Sequence, residues 1–215
     1  MDTFGVSKRK GNFMNIYFIR HGQKQDDSKN CATMELTKIG FEQANLLGKR
    51  LKIYNIERIY SSDMVRAIQT SETINKYLKV DLIVNHELRE IDMGEYNDKG
   101  LKFIQDNYPN FFKEFSKHTS DLPYPKGECG EDVWKRTQII VNEIINCGLK
   151  NVAVVLHGGI IGVLICGFLG IGQHKRFFLG EPLENCSISI IKYDNKANNY
   201  YLQSFNDHSH LEAVG

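Results

Sequence analysis

The chain has 215 residues, of which 41% are hydrophobic and 25% charged, and its formal net charge is +1. That balance suits one globular domain with a sizeable core and excludes a disordered or fibrous chain. It gives no electrostatic basis for binding nucleic acid or an acidic membrane surface, so function has to be sought in a local site.

In chain order, residues 1–14, with Ser7-Lys8-Arg9-Lys10-Gly11, read as a loose basic leader without a signal-peptide core, and Met14 is an alternative start. A single domain is expected over 15–205. It opens with a strand at Asn15–Ile19, a polar loop to Met34 and a helix entered near Thr37 whose Ala44, Leu47 and Leu51 share one stripe. A short strand near Arg58–Tyr60 leads into Ser61-Ser62-Asp63, which supplies cap chemistry for a helix burying Met64, Ala67, Ile68, Ile74 and Leu78. After a strand at Leu82–Val84, the stretch from Glu87 to Asp121 is polar, aromatic and irregular. It suits a loop-and-helix insertion, a candidate lid at about 91–128.

Amphipathic spacing returns from Glu128 to Cys147, followed by the strand Val152–Leu156. The stretch from Asn151 to Gln173 is long enough to mimic a membrane span, but His157-Gly158-Gly159 divides it into a short strand and a short helix. Ser187–Tyr193 and Tyr200–Phe205 read as closing strands, and 206–215 as a polar tail. Alternating strands and helices imply a three-layer α/β/α sandwich with a mostly parallel central sheet. The five cysteines (Cys31, Cys129, Cys147, Cys166, Cys186) form no C-x-x-C pair, which argues against a disulfide framework or structural zinc and favours a reducing cytoplasm.

Two strand ends carry chemistry. Ile16-Tyr17-Phe18-Ile19 runs into Arg20-His21-Gly22, and Val152–Leu156 runs into His157-Gly158-Gly159. Ligand crevices of parallel sheets lie beyond the carboxyl ends of the strands, so both imidazoles share one crevice if the two strands are parallel neighbours. Arginine binds phosphate oxygens bidentately and stays charged, which makes Arg20 a sensible clamp. Arg66 falls in the first turn of its helix, where free N–H groups and the helix dipole also attract anions. Taken alone, each of these residues also fits an ordinary surface or satisfied polar position.

I-Y-F-I-R-H-G, S-S-D-M-V-R-A-I-Q-T-S-E, L-R-E-I-D-M-G-E-Y and V-V-L-H-G-G-I-I, in that order, resemble the four successive signatures of the histidine phosphatase superfamily, the phosphoglycerate-mutase-like fold. Pro125–Val133 resembles that family's P-x-G-E-S segment with Cys129 in place of serine, and L-E-N-C-S-I-S its late strand. The resemblance runs from about Ile16 to Ser189. It implies His21 as the nucleophile that forms a phosphohistidine, Arg20, Arg66 and His157 as a phosphate pocket with His157 cationic, and Glu90 as the general acid. An acid in that role has to hold a proton when the ester oxygen leaves. The residues themselves leave four carboxylates in play, since Glu87, Asp92 and Glu95 lie close by.

Where many members of that family read R-H-G-E-T-x-x-N, this chain has Gln23, Lys24 and Asp27. The aspartate would repel an anionic substrate unless paired or turned away. Gln23, Lys24 and Gly158 are candidate substrate contacts. The longer insertion and R-H-Y-G element of the mutases are missing, which places the phosphatase branch ahead.

The expectation is therefore a phosphomonoesterase of the histidine acid phosphatase type, acting on a small phosphorylated metabolite. It would need no cofactor and no metal, and a homodimer is compatible with this reading. Phosphoglycerate-mutase-type transfer and a non-catalytic phospho-ligand binder are the alternatives. His208 and His210 fall in the tail, where disorder is favoured over metal binding. Trp134, Phe103, Tyr108, Phe111, Phe112 and Phe115 are assigned to core or lid packing.

Overall fold

The structure is a computed structural model that describes residues 13–25, 33–180 and 182–214. Asp27 and Cys31 lie outside the described residues.

The strands are β1 (Phe13–Arg20), β2 (Arg58–Ser61), β3 (Asp81–Val84), β4 (Asn151–Leu156), β5 (Ile188–Asp194) and β6 (Asn199–Asp207). They form one six-stranded sheet in the order β3-β2-β4-β1-β5-β6. Its β3, β2, β4 and β1 members are parallel, and β5 and β6 continue it antiparallel.

Alternation along the strands sends residues to two cores. Ile16, Phe18, Val152 and Val154 face α5 (Gly130–Asn146) and α6 (Gly158–Leu169), while Tyr17, Ile19, Ala153 and Val155 face α1 (Lys38–Leu51) and α2 (Val65–Leu78). Both faces of the central strands are therefore covered, which explains why their sequences are almost continuously apolar. The expected α/β/α sandwich is present.

Thr37 caps α1 as expected, its Oγ1 accepting the Gly40 N–H at 3.0 Å. Such a cap contributes about 1 kcal/mol. Ala44, Leu47 and Leu51 are fully buried beneath it.

Three expectations are corrected, and one is met with more order than its composition suggested. β1 starts at Phe13, because β5 is long enough to pair Asp194 with Phe13 and Tyr193 with Met14, so the last two residues of the expected leader belong to the sheet. The segment from Glu87 to Asp121 is the loop-and-helix insertion expected, its helices being α3 (Glu95–Asn107) and α4 (Pro109–Phe115), the former broken at Gly100, whose φ is 75°. The chain beyond 205 is ordered through 214: β6 reaches Asp207, and Arg50 on α1 binds Asp207 Oδ2 and Ser209 Oγ, each at 2.8 Å. Finally, Ser61-Ser62-Asp63 does not cap α2, whose N-cap is Met64 without a side-chain cap bond. These residues are engaged elsewhere: Ser61 Oγ meets Ser71 Oγ, and Asp63 receives both Nε and Nη2 of Arg89.

Candidate active site

Sheet register builds the site. Arg20 is opposite Leu156 in the parallel β1–β4 pair, so the next residue of each strand, His21 and His157, leaves the sheet side by side. Their rings lie 5.1 Å apart, centroid to centroid, at 61°. β2 ends beside β4, and Ser62, just past its last residue, donates its N–H to Val155 O at 2.9 Å. Ser62 Oγ then sits 2.9 Å from His157 Nε2.

His21 is 4% exposed and its tautomer is set by the backbone: Nδ1 lies 2.7 Å from Gly22 O, an acceptor only, so Nδ1 carries the proton and Nε2 the lone pair. Arg66, the second residue of α2 and 2% exposed, donates Nε to that Nε2 at 3.0 Å. Burial first, and then the Arg66 charge, lower the His21 pKa to about 3. His157 is wholly buried and is pushed well below its ordinary value, first by desolvation and then by His21 and the arginines. The expectation of a cationic His157 is therefore corrected: the protein alone holds both imidazoles neutral, and a positive His157 would need an anion beside it.

Two buried nitrogens, Arg20 Nε and His157 Nδ1, have no hydrogen-bond partner among the described residues. Buried polar groups are rarely left so, and a ligand bearing several acceptor oxygens is the kind of group that satisfies them. Arg20 Nη1 is held by Leu183 O.

Glu90 caps α6. Its carboxylate accepts the N–H groups of Gly159 at 3.1 Å and Ile160 at 2.9 Å, and also that of Ile91 at 3.0 Å. A Cβ on Gly159 would fall 2.7 Å from Glu90 Oε1, so only glycine lets the carboxylate come this close. Gly22 is required for a similar reason, since a Cβ there would lie 2.6 Å from Gly40 O.

The loop carrying Glu90 is pinned from behind by Arg136 of α5. Its guanidinium donates to the carbonyls of Glu87, Arg89 (2.9 Å) and Glu90 (3.2 Å), and Nε binds Glu128 Oε1 at 2.7 Å. Glu128 Oε2 accepts the Asp92 N–H at 2.9 Å.

These groups open into a cleft of about 400 Å³ lined by Arg20, His21, Lys24, Arg66, Glu90 and Gly158, among others. Of the candidate substrate contacts, Lys24 and Gly158 line it. Gln23 does not, because its Oε1 accepts from Thr37 Oγ1 at 2.7 Å at the start of α1. Of the rival carboxylates, Glu95 is paired with Lys99 and Lys126, and Asp92 turns its Oδ1 to the Gly94 N–H.

Sequence reasoning missed Arg176, which also lines the cleft and is paired with Asp121. It also gave no role to Arg136 or Glu128, although Glu128 falls in the segment matched to P-x-G-E-S.

Neutral burial of His21 has a thermodynamic consequence. Its folded pKa of about 3 is below the unfolded value, so between pH 6.5 and 3 the unfolded chain binds a proton that the folded chain refuses, and stability falls as the pH falls. Urea unfolding should show a slope for His21 that sets in below pH 7 and approaches about 1.4 kcal/mol per pH unit between pH 5.5 and pH 4.5. His21→Asn should lose that component, and equal slopes in the two proteins would refute neutral burial.

The family model described as histidine phosphatase superfamily (branch 1) matches residues 16–208. The chain is 30% identical to "Putative phosphoserine phosphatase 2" of Hydrogenobacter thermophilus, over 82% of this chain and 88% of that protein. It is also 30% identical to "Probable phosphoglycerate mutase GpmB" of Proteus mirabilis, over 94% and 96% of the two chains. Among solved structures, a mycobacterial glucosyl-3-phosphoglycerate phosphatase has the same fold, with a TM-score of 0.80 at 22% identity, covering 90% of this chain and 99% of that one.

Proposed function

The chain belongs to the histidine phosphatase superfamily, and from that premise we propose that it is a phosphomonoesterase acting on a small phosphorylated metabolite through a phosphohistidine at His21. The observation that carries this reading is the His21 imidazole: it is neutral, fixed by Gly22 O with its lone pair on Nε2, and set against a guanidinium at the floor of a cationic cleft.

A phosphoryl group entering between Arg66 and His21 takes the arginine's N–H onto its oxygens and leaves Nε2 facing phosphorus. The N–P bond forms as the P–O ester bond breaks, and Glu90 gives its proton to the departing oxygen. Water then attacks the phosphohistidine, passing its proton to the Glu90 carboxylate as the N–P bond breaks, which releases inorganic phosphate and returns the electron pair to Nε2. Splitting hydrolysis in this way replaces one difficult displacement with two easier ones. Arg20, Arg66 and His157 spread the equatorial charge, and the donors left unpartnered on Arg20 and His157 serve the same oxygens.

Among the described residues, no group of three or more His, Cys, Asp or Glu is placed to hold a metal ion, so the reading assigns charge neutralisation to these side chains. Among those residues also, no helix is long and apolar enough to cross a membrane, and Cys129, Cys147, Cys166 and Cys186 are free thiols.

The relatives' names point both to phosphatases and to phosphoglycerate mutases, and product analysis separates the two. Free phosphate should appear from a panel of phosphomonoesters in the presence of EDTA and should stop with vanadate. Interconversion of 2- and 3-phosphoglycerate without phosphate release would establish the mutase instead. Binding without turnover would establish a phospho-ligand binder.

A further inference from the structure

A second cavity, of about 420 Å³, adjoins the phosphate cleft and shares Met93, Tyr124 and Phe177 with it as lining. Its other walls come from α3 and α4, chiefly Tyr96, Phe111 and Phe115. The rings form one continuous set: Phe115 lies 5.1 Å from Phe111, 5.0 Å from Tyr124 and 5.3 Å from Phe177. His118 stacks on Phe177 at 4.2 Å and 14°.

These aromatics are not core. Phe18 and Tyr60 in the two-faced core are 1% and 0% exposed, whereas Phe111, Phe115, Tyr124 and Phe177 are only half-buried around an open volume. Packing alone does not account for so much apolar ring surface left facing a space of ligand size.

The two cavities also differ in charge. The phosphate cleft presents Arg20, Lys24, Arg66, Glu90 and Arg176, while among the described residues no Lys, Arg, Asp or Glu lines the aromatic cavity. A second anionic group on the substrate would find no lysine or arginine there, and an apolar group would exchange water for rings.

We propose that the aromatic cavity is the leaving-group site, and that the preferred substrates are phosphate monoesters of extended apolar alcohols or phenols rather than of compact, charged ones such as glycerate or serine. This proposal rests on the phosphomonoesterase reading for turnover, but not for binding. The phosphoryl end sits between Arg20, His21 and Arg66, and the organic group passes Met93 and Tyr124 to lie against Phe111, Phe115 and Phe177.

The test is the affinity of non-hydrolysable alkylphosphonates from methyl to octyl, measured by calorimetry on the full chain, beside kcat/KM for the matching alkyl phosphates. Each methylene buried is worth about fourfold, and with partial burial hexylphosphonate should bind on the order of a hundredfold more tightly than methylphosphonate. Phe115→Ala should flatten that dependence. Ser116→Trp, placed from the exposed rim of the same cavity, should shorten the chain length at which affinity stops rising. Inorganic phosphate, too small to reach the rings, reports in each protein whether the cleft is folded.

Equal affinity for methyl and hexyl in the parent chain overturns the proposal. So does a steep dependence that neither substitution alters, since the chain would then lie elsewhere. A steep dependence without hydrolysis of any ester would refute the phosphatase reading and leave the aromatic site standing.

Discussion

His21→Ala should reduce phosphate release by about 10⁴-fold or more, since removing a nucleophile costs nearly everything the covalent route supplies. The prediction rests on geometry that no neighbour duplicates. His157 is the imidazole beside His21, but it is fully buried and its Nε2 is taken up with Ser62 Oγ. Cys186 is buried as well, and desolvation drives its thiol pKa upward, away from the thiolate a nucleophile needs.

Rapid quenching of the parent protein with a fast substrate should trap phosphate that is labile in acid and stable in base, and peptide mapping should place it on His21. The variant should trap none while keeping a cooperative melt. Trapping on any other residue, or a His21→Ala protein within tenfold of the parent, would refute the assignment.

The parts of this molecule that were legible in the sequence are those set by short-range rules. Continuous apolar runs marked β1 and β4, and a polar cap followed by a 3.6-residue stripe marked α1 at Thr37. The sequence could state only conditionally that His21 and His157 share a crevice. That depends on β1 and β4 being parallel partners, a fact of topology between segments some 130 residues apart, and the register Arg20 to Leu156 supplies it.

What failed did so for a physical reason. Ser61-Ser62-Asp63 has the composition of a helix cap, yet the fold uses Ser62 to hold His157 and Asp63 to hold Arg89. The charge of His157 was misjudged because desolvation by a complete burial cannot be read from a linear sequence. Gln23 looked like a substrate contact from its place after the R-H-G triplet, but its amide oxygen accepts from Thr37 Oγ1 instead. Arg136 carried no signal at all, since its partners are main-chain carbonyls of a loop some 47 residues earlier.

Glu90→Gln should slow transfer of phosphate from alkyl esters to His21 by about a hundredfold or more, and transfer from p-nitrophenyl phosphate by about tenfold or less. An alkoxide cannot leave without a proton, whereas nitrophenolate needs little help. The comparison has to be made in single turnovers, because Glu90 can also activate the water that removes phosphate from His21, and that step would depress steady-state rates for both esters. It also has to be made as a ratio. Glu90 caps α6 by accepting from Gly159 and Ile160, and an amide NH₂ turned toward those donors loosens the helix end for every substrate alike. Division of one rate by the other removes that common loss and leaves the part due to the missing proton.

The same ratio measures how much the acid owes to its support. Arg136 touches the main chain of the Glu90 loop and does not line the phosphate cleft, so Arg136→Lys should carry the same leaving-group signature at smaller size, as a lysine cannot reach three carbonyls and Glu128 together. Equal slowing of both esters in Glu90→Gln would remove Glu90 as the acid. Among the remaining carboxylates, Glu87 would then be the first to test, since Glu95 is held by Lys99 and Lys126.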